Sequence, residues 1–134
     1  MIVPDSSVLV AALASYHAAH EQAVDAVGDA PELIVHVAFE TSSVLSRMPE
    51  GQRMEAMVVL DALEREFPRP WLSLDPDAQR TCLRRAVDAG LRGGALYDAL
   101  IATTALEHRA TLLSADRRAR EVYEAVGAEV SYLD

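Results

Sequence analysis

The sequence predicts an α/β domain in which a central, mostly parallel sheet of four to five strands has helices on both faces. Short apolar runs rich in β-branched residues alternate with longer segments of helical period, which is the pattern of this fold class. The segments between the runs are long enough for helical crossovers, and these favour parallel pairing. With 134 residues, 51% of them hydrophobic, and no linker or repeat, the chain is expected to form one domain over residues 1–134.

The first half of the chain opens with a predicted strand at residues 1–4. Asp5, Ser6 and Ser7 follow it and favour the N-terminus of a helix at 8–13. Gly28 and Pro31 end a second predicted helix, at 18–27. A second strand is predicted at 33–36, and two helices, parted by a proline and a glycine, are predicted at 41–48 and 52–66.

The second half repeats the alternation of strand and helix. Prolines introduce a third predicted strand, and a glycine-rich loop at 90–94 separates the next two helices. The strands of this half are predicted at 71–74, 111–114 and 129–132. Its helices are predicted at 77–89, 95–107 and 117–126.

Composition excludes several classes of function. Twelve Lys+Arg against 21 Asp+Glu gives a net charge of −9, which argues against holding nucleic acid by general attraction but not against acting on it locally. All the basic residues are arginines, so a mechanism that needs a lysine is ruled out. A single cysteine, Cys82, cannot form an internal disulfide, and no secretory signal or membrane-length apolar run is present. We therefore expect a cytoplasmic protein without a membrane segment.

Four acids stand where a strand gives way to a helix or where a helix should face the core. Asp5 and Asp116 directly follow predicted strands, although either one alone is also a good N-cap or turn residue. Asp98 shares a helix face with small apolar residues, where an unpaired carboxylate is costly unless it caps the helix or pairs with an arginine. Glu40 is predicted at a helix start, where the helix dipole alone would favour an acid. Clustered carboxylates repel each other, and a divalent cation commonly compensates for that repulsion.

The segments around these acids resemble the motifs of PIN-domain nucleases, and the size and order are similar to the VapC toxins of bacterial toxin–antitoxin pairs. The resemblance runs over essentially the whole chain. It is carried by Ile2-Val3-Pro4-Asp5-Ser6-Ser7-Val8-Leu9, Phe39-Glu40 with Val44-Leu45-Ser46-Arg47, Tyr97-Asp98-Ala99-Leu100-Ile101-Ala102 and Leu112-Leu113-Ser114-Ala115-Asp116.

The resemblance implies a metal-dependent endoribonuclease that uses Mg²⁺, with Mn²⁺ as a second possibility. Asp5, Glu40, Asp98 and Asp116 would form the acidic site, with Asp5 and Asp98 as direct metal ligands and the other two acting through water. Ser6 and Ser114 match the hydroxyl residues that accompany the first and last acids. A homodimer, an RNA substrate and a small antitoxin protein are also implied.

The sequence departs from the family pattern at two positions, and it leaves two other functions open. Pro4 replaces an aliphatic residue and must lie at the end or edge of its strand, and Ala115 replaces a residue that is commonly polar. A catalytically weak relative that only binds or regulates is one alternative. A phosphatase of another α/β family is the other, and it is disfavoured because lysine is absent and position 7 is serine.

Overall fold

The computed structural model describes residues 1–28 and 30–133, which form seven α-helices, one 3₁₀ turn and three strands. Residues 29 and 134 of the predicted domain lie outside the described residues. The strands are β1 (Ile2–Pro4), β2 (Thr111–Ser114) and β3 (Val130–Tyr132). The helices are α1 (Ser6–Leu13), α2 (His20–Val27), α3 (Val35–Ser46), α4 (Ala56–Glu66), α5 (Pro76–Asp88), α6 (Gly94–Glu107) and α7 (Arg120–Val126), with the 3₁₀ turn at Arg117–Ala119.

The three strands pair in parallel in the order β1-β2-β3, which confirms the predicted parallel sheet. All helices from α1 to α6 lie in the crossover between β1 and β2, while the 3₁₀ turn and α7 connect β2 to β3. Pro4 is the last residue of the edge strand β1, opposite Leu113. A proline is tolerated there because one side of an edge strand needs no ladder donor.

The predicted number of four to five strands is too high for the described residues. The segments predicted as strands at 33–36 and 71–74 meet in one parallel bridge, between Ile34 and Leu72. The chain enters α3 at Val35, directly after that bridge. Val37, Ala38 and later residues at helical spacing are buried on one face of α3, so packing overrides the strand propensity of this β-branched run.

Successive residues of β2 face opposite sides of the sheet, as strand geometry requires. Leu112 is fully buried in the larger core with residues of α3, α4, α6 and α7. Leu113 packs instead with Val8, Ala11 and Ala23 of α1 and α2. Helices therefore cover both faces of the sheet, as predicted.

Three helices begin several residues away from their predicted starts, and one of them, predicted at 117–126, begins only at Arg120 after the 3₁₀ turn. Because α3 starts at Val35, Glu40 lies in the middle of a helix and not at its start. The helix predicted at 52–66 begins only at Ala56, and its residues Met57 and Val58 are exposed at 64% and 53%. In the described part of the chain, no helix is both long and apolar enough to cross a bilayer.

Candidate active site

Asp5 and Asp116 lie at the carboxyl ends of the neighbouring strands β1 and β2. Asp5 follows Pro4, and its backbone N–H donates to the carbonyl of Leu113 at 2.8 Å, so the strand pairing extends to the acid. Asp116 comes just after the end of β2 at Ser114. Parallel open sheets bind their ligands in the crevice beyond these strand ends. The two acids thus lie at the edge of the sheet where this architecture places functional groups.

Asp5 is 2% exposed and is held by several hydrogen bonds. Its Oδ1 accepts from the Ser7 hydroxyl at 2.5 Å and from the Val8 amide at 3.2 Å, which caps α1. Its Oδ2 accepts from the Tyr123 hydroxyl at 2.9 Å. Burial raises the pKa of Asp5, while hydrogen bonds from Ser114, Ser7 and Tyr123 act in the opposite direction. The carboxylate is therefore fixed both by its own helix and by distant parts of the chain.

Asp98 projects from α6, one turn before the buried residues Ile101 and Ala102. Burial, and after it the charges of the Asp116 and Asp5 carboxylates, together raise the pKa of Asp98 to about 6. A carboxyl group responds in this way when other negative groups lie near it in a poorly solvated place. Asp98 therefore belongs to the same cluster as the two acids at the strand ends.

Glu40 joins this cluster from α3. Burial raises its pKa first, and the carboxylates of Asp98 and Asp5 add to the shift, while a hydrogen bond from Ser6 opposes it. Its buried Oε1 has no hydrogen-bond partner among the described residues. The nearest cationic candidate is His36, whose Nε2 lies 3.7 Å from that oxygen.

His36 does not neutralise Glu40 at neutral pH. Burial lowers the pKa of His36, so its imidazole stays uncharged. The ring also stacks on Tyr97, with 4.7 Å between the centroids and 17° between the planes. The excess negative charge at Glu40 is thus left to be compensated by something other than this histidine.

Asp116 is the fourth acid and caps the 3₁₀ turn. Its Oδ1 accepts from the Arg118 amide at 2.9 Å and from the Arg118 Nε at 3.3 Å, and its own amide donates to the Ser114 hydroxyl at 3.0 Å. Since the Arg118 side chain is 95% exposed, this ion pair adds little stability. Its main effect is to orient the carboxylate beside the strand ends.

Two residues that sequence patterns do not single out, Ser7 and Tyr123, hold the buried Asp5. Ser7 donates to Asp5 and also accepts from the Ala115 amide at 2.8 Å, so it ties the segment after β2 to the start of α1. Ser6, by contrast, acts on Glu40. The Asp-Ser-Ser order hints at a role for Ser7, but nothing local relates Tyr123 to an acid 118 positions earlier.

The donor chemistry of the cluster fits a hard divalent cation. Its members offer carboxylate oxygens, which Mg²⁺ and Mn²⁺ prefer, and the unpaired Oε1 of Glu40 is an atom that an ion or its bound water would satisfy. Across residues 1–28 and 30–133, no three or more His, Cys, Asp or Glu side chains stand at the spacing of a metal site. The cluster thus suits a cation in its donor type and its charge, while its side chains are not at the spacing of a formed metal site.

Comparison with known proteins assigns the family. The family model described as PIN domain matches residues 2–125, which is nearly the whole chain. The chain belongs to the PIN-domain family. This membership confirms the resemblance drawn from the four acidic motifs.

Relatives of this PIN-domain protein include two ribonucleases of Mycobacterium tuberculosis. The chain is 42% identical to Ribonuclease VapC40 over 130 residues, covering 97% of each protein. It is 38% identical to Ribonuclease VapC27 of strain ATCC 25618 / H37Rv over 128 residues, covering 94% of this chain and 92% of the relative. The predicted VapC type is thereby confirmed.

A solved structure supports the fold of this PIN-domain protein. A chain in the crystal structure of VapBC2 from Rickettsia felis, a complex bound to a DNA fragment from its promoter, matches this protein with a TM-score of 0.67. The identity is 16%, and the match covers 100% of both chains. At that identity the likeness establishes a shared architecture.

Proposed function

We propose that this PIN-domain protein is a divalent-metal-dependent endoribonuclease and the toxin of a toxin–antitoxin pair. It would hydrolyse RNA phosphodiester bonds in the cytoplasm. The observation that carries the proposal is the convergence of carboxylates from separate segments, which raises the pKa of Asp98 to about 6 through burial and the charges of Asp116 and Asp5. The relatives that are named ribonucleases support the same activity.

Asp5 and Asp98 would hold the ion, Mg²⁺ or Mn²⁺, through their carboxylate oxygens. When bound, the ion would acidify a water molecule and stabilise negative charge on the attacked phosphate. Asp5 is suited to a fixed position because Ser7 and Tyr123 hold it on both oxygens. Asp98 is suited to capture a cation because its ionised form is disfavoured without one.

The other members of the site would act on water and on the carboxylates. Glu40, with its unpaired Oε1, would accept a proton from the attacking water or orient it. Asp116 would complete the site through water from the end of the neighbouring strand β2. Ser6 would hold Glu40, and Ser114, fully buried, would hold both Asp5 and the Asp116 amide.

An antitoxin protein and a second copy of the chain are the proposed partners. The antitoxin would insert a segment near the acids and block the metal or the RNA. A cleft of about 290 Å³ between α1, α2 and α4 could take its apolar residues, since Leu9, Leu13, Val24 and Phe67 line it.

Incubation of the purified protein with total RNA in chelator, in Mg²⁺ and in Mn²⁺ tests the proposal. We expect cleavage only with a divalent ion, and its loss in Asp5→Asn and in Asp98→Asn. Asp61→Asn is the matched control, because Asp61 is exposed in the middle of α4. Folded protein that binds RNA without cutting it under all three conditions would support the binding-only alternative. Membership of the PIN-domain family argues against the alternative of a phosphatase from another α/β family.

A further inference from the structure

An open cleft of about 580 Å³ borders the acid site at Asp116. Ser6 and Asp116 line it together with His17, Arg117 and Arg118. We call His17, Arg117 and Arg118 the basic wall. In a chain of net charge −9, two arginines and a histidine at one cleft are a local exception to the acidic surface. The basic wall therefore offers an anion a place beside the acids.

His17 is fixed in one orientation by its own loop. Its Nδ1 accepts a hydrogen bond from the Ala19 amide at 3.0 Å. Its backbone is held on both sides, because its amide donates to Ala14 at 2.9 Å and its carbonyl accepts from His20 at 3.0 Å. With Nδ1 acting as an acceptor, the proton of the neutral ring must sit on Nε2. Within the described residues, Nε2 takes part in no hydrogen bond, so it remains available as a donor.

Arg118 and Arg117 carry the charge of the basic wall. The Arg118 side chain is 95% exposed and uses its Nε for Asp116, which leaves the two terminal nitrogens to donate elsewhere. The Arg117 guanidinium lies over the Tyr132 ring, 4.9 Å from its centroid, which limits where that side chain can point. Asp116 is the one acid among the residues that line the cleft, and it is already paired.

We propose that the basic wall is a phosphate-binding subsite, in which His17 and Arg118 hold a backbone phosphate of the RNA next to the cleaved bond. The His17 Nε2–H and the terminal nitrogens of Arg118 donate to the phosphate oxygens, and Arg117 adds charge. The subsite rests on the proposed ribonuclease function. It explains how an acidic protein positions a polyanion at four carboxylates. His17 is a positioning residue, since it touches a neighbouring phosphate and not the reacting atoms.

The test measures binding of a fluorescein-labelled, mixed-sequence single-stranded RNA by anisotropy in chelator, where no cleavage occurs. We expect His17→Ala and Arg118→Ala each to weaken binding about five- to tenfold, and His17→Gln to restore most of the loss because its amide can replace the Nε2 donor. Arg118→Ala should also reduce the salt slope of binding by about 0.7, the contribution of one phosphate contact in a single-stranded complex.

Matched controls separate the subsite from general electrostatics. Arg120→Ala removes the same charge from a residue paired with Glu124 outside the cleft, and His108→Ala removes a histidine that contacts Ser73. Both should bind as the wild type does. Equal losses in Arg120→Ala and Arg118→Ala, wild-type binding in His17→Ala, or no RNA binding by the wild type would each overturn the subsite.

Cleavage assays with metal then distinguish failure of the subsite from failure of the proposed function. If the enzyme cleaves RNA, His17→Ala should raise KM about five- to tenfold with kcat nearly unchanged. A changed choice of cleavage site with unchanged affinity would assign His17 to a base and refute the phosphate contact. Selective loss of binding in the two variants, together with no metal-dependent cleavage by the wild type, would sustain the subsite and reject the ribonuclease.

Discussion

Replacement of Asp98 by asparagine should stabilise the metal-free protein at neutral pH while it removes the nuclease activity. The pKa of Asp98 is raised to about 6 by burial and by the carboxylates of Asp116 and Asp5. The folded protein therefore binds a proton there more tightly than the unfolded chain does. Ionisation of Asp98 costs stability, and asparagine, which cannot ionise, avoids that cost.

The sign and size of this effect follow from linkage. Between the unfolded pKa near 3.8 and the folded value of about 6, the native state holds more protons, so its free energy of unfolding falls as pH rises through that window. The shift corresponds to about 3 kcal/mol. Because Asp98 is only half-buried, solvent screening reduces the expected penalty to about 1–2 kcal/mol at neutral pH.

Urea unfolding in chelator, at about pH 4 and about pH 7.5, measures the penalty directly. The charge of Asp98 also raises the pKa of Glu40, so the difference between wild type and Asp98→Asn reports the ionisation of Asp98 together with its repulsion of Glu40. We expect the variant to be more stable by about 1–2 kcal/mol at the higher pH, and the difference to shrink at the lower pH. Asp61→Asn, an exposed position on α4, should show no such dependence.

Two results would refute the reasoning. If Asp98→Asn were less stable than the wild type at about pH 7.5 in chelator, the carboxylate would be stabilised by its neighbours and not repelled by them. If the difference in stability were the same at both pH values, ionisation of Asp98 would not be its cause. Either result would remove the electrostatic argument for a cation site.

Three further predictions concern the metal, the support of Asp5 and the core. Mg²⁺ or Mn²⁺ should raise the Tm of the wild type but not of Asp98→Asn. Calorimetry should show that metal affinity falls as the pH drops through about 6, because a proton then competes with the metal at Asp98. Equal affinity on both sides of that pH would contradict this prediction. Tyr123→Phe should lower the free energy of unfolding by about 1–3 kcal/mol and reduce kcat more than it changes KM, because the buried Asp5 loses a hydrogen-bond donor at 2.9 Å. Unchanged urea unfolding and unchanged kcat would show that this hydrogen bond is dispensable. Leu112→Ala should lower the free energy of unfolding by about 2–5 kcal/mol in the same urea assay, because Leu112 is fully buried in the larger core. A decrease of less than about 1 kcal/mol would contradict its place in that core.

Local patterns were sufficient to predict much of this molecule. The strands at residues 1–4 and 111–114 were predictable because short β-branched or apolar runs precede an acid that caps the next turn, and both are observed with Asp5 and Asp116 at their ends. The partial burial of Asp98 followed from helical spacing to Ile101 and Ala102. These features depend on neighbours within about one helical turn, which the sequence displays directly.

By itself, the sequence determined the class of fold and excluded mechanisms that need a lysine, and it predicted the four acids as the candidate site. Only the tertiary structure decided that residues 33–36 and 71–74 contribute a single bridge, because burial of one face of α3 prevails over strand propensity there. It also decided that Glu40 lies mid-helix and that Tyr123 holds Asp5. Such contacts join residues far apart along the chain, and the raised pKa of Asp98 exists only after folding has brought the carboxylates together and removed water from them.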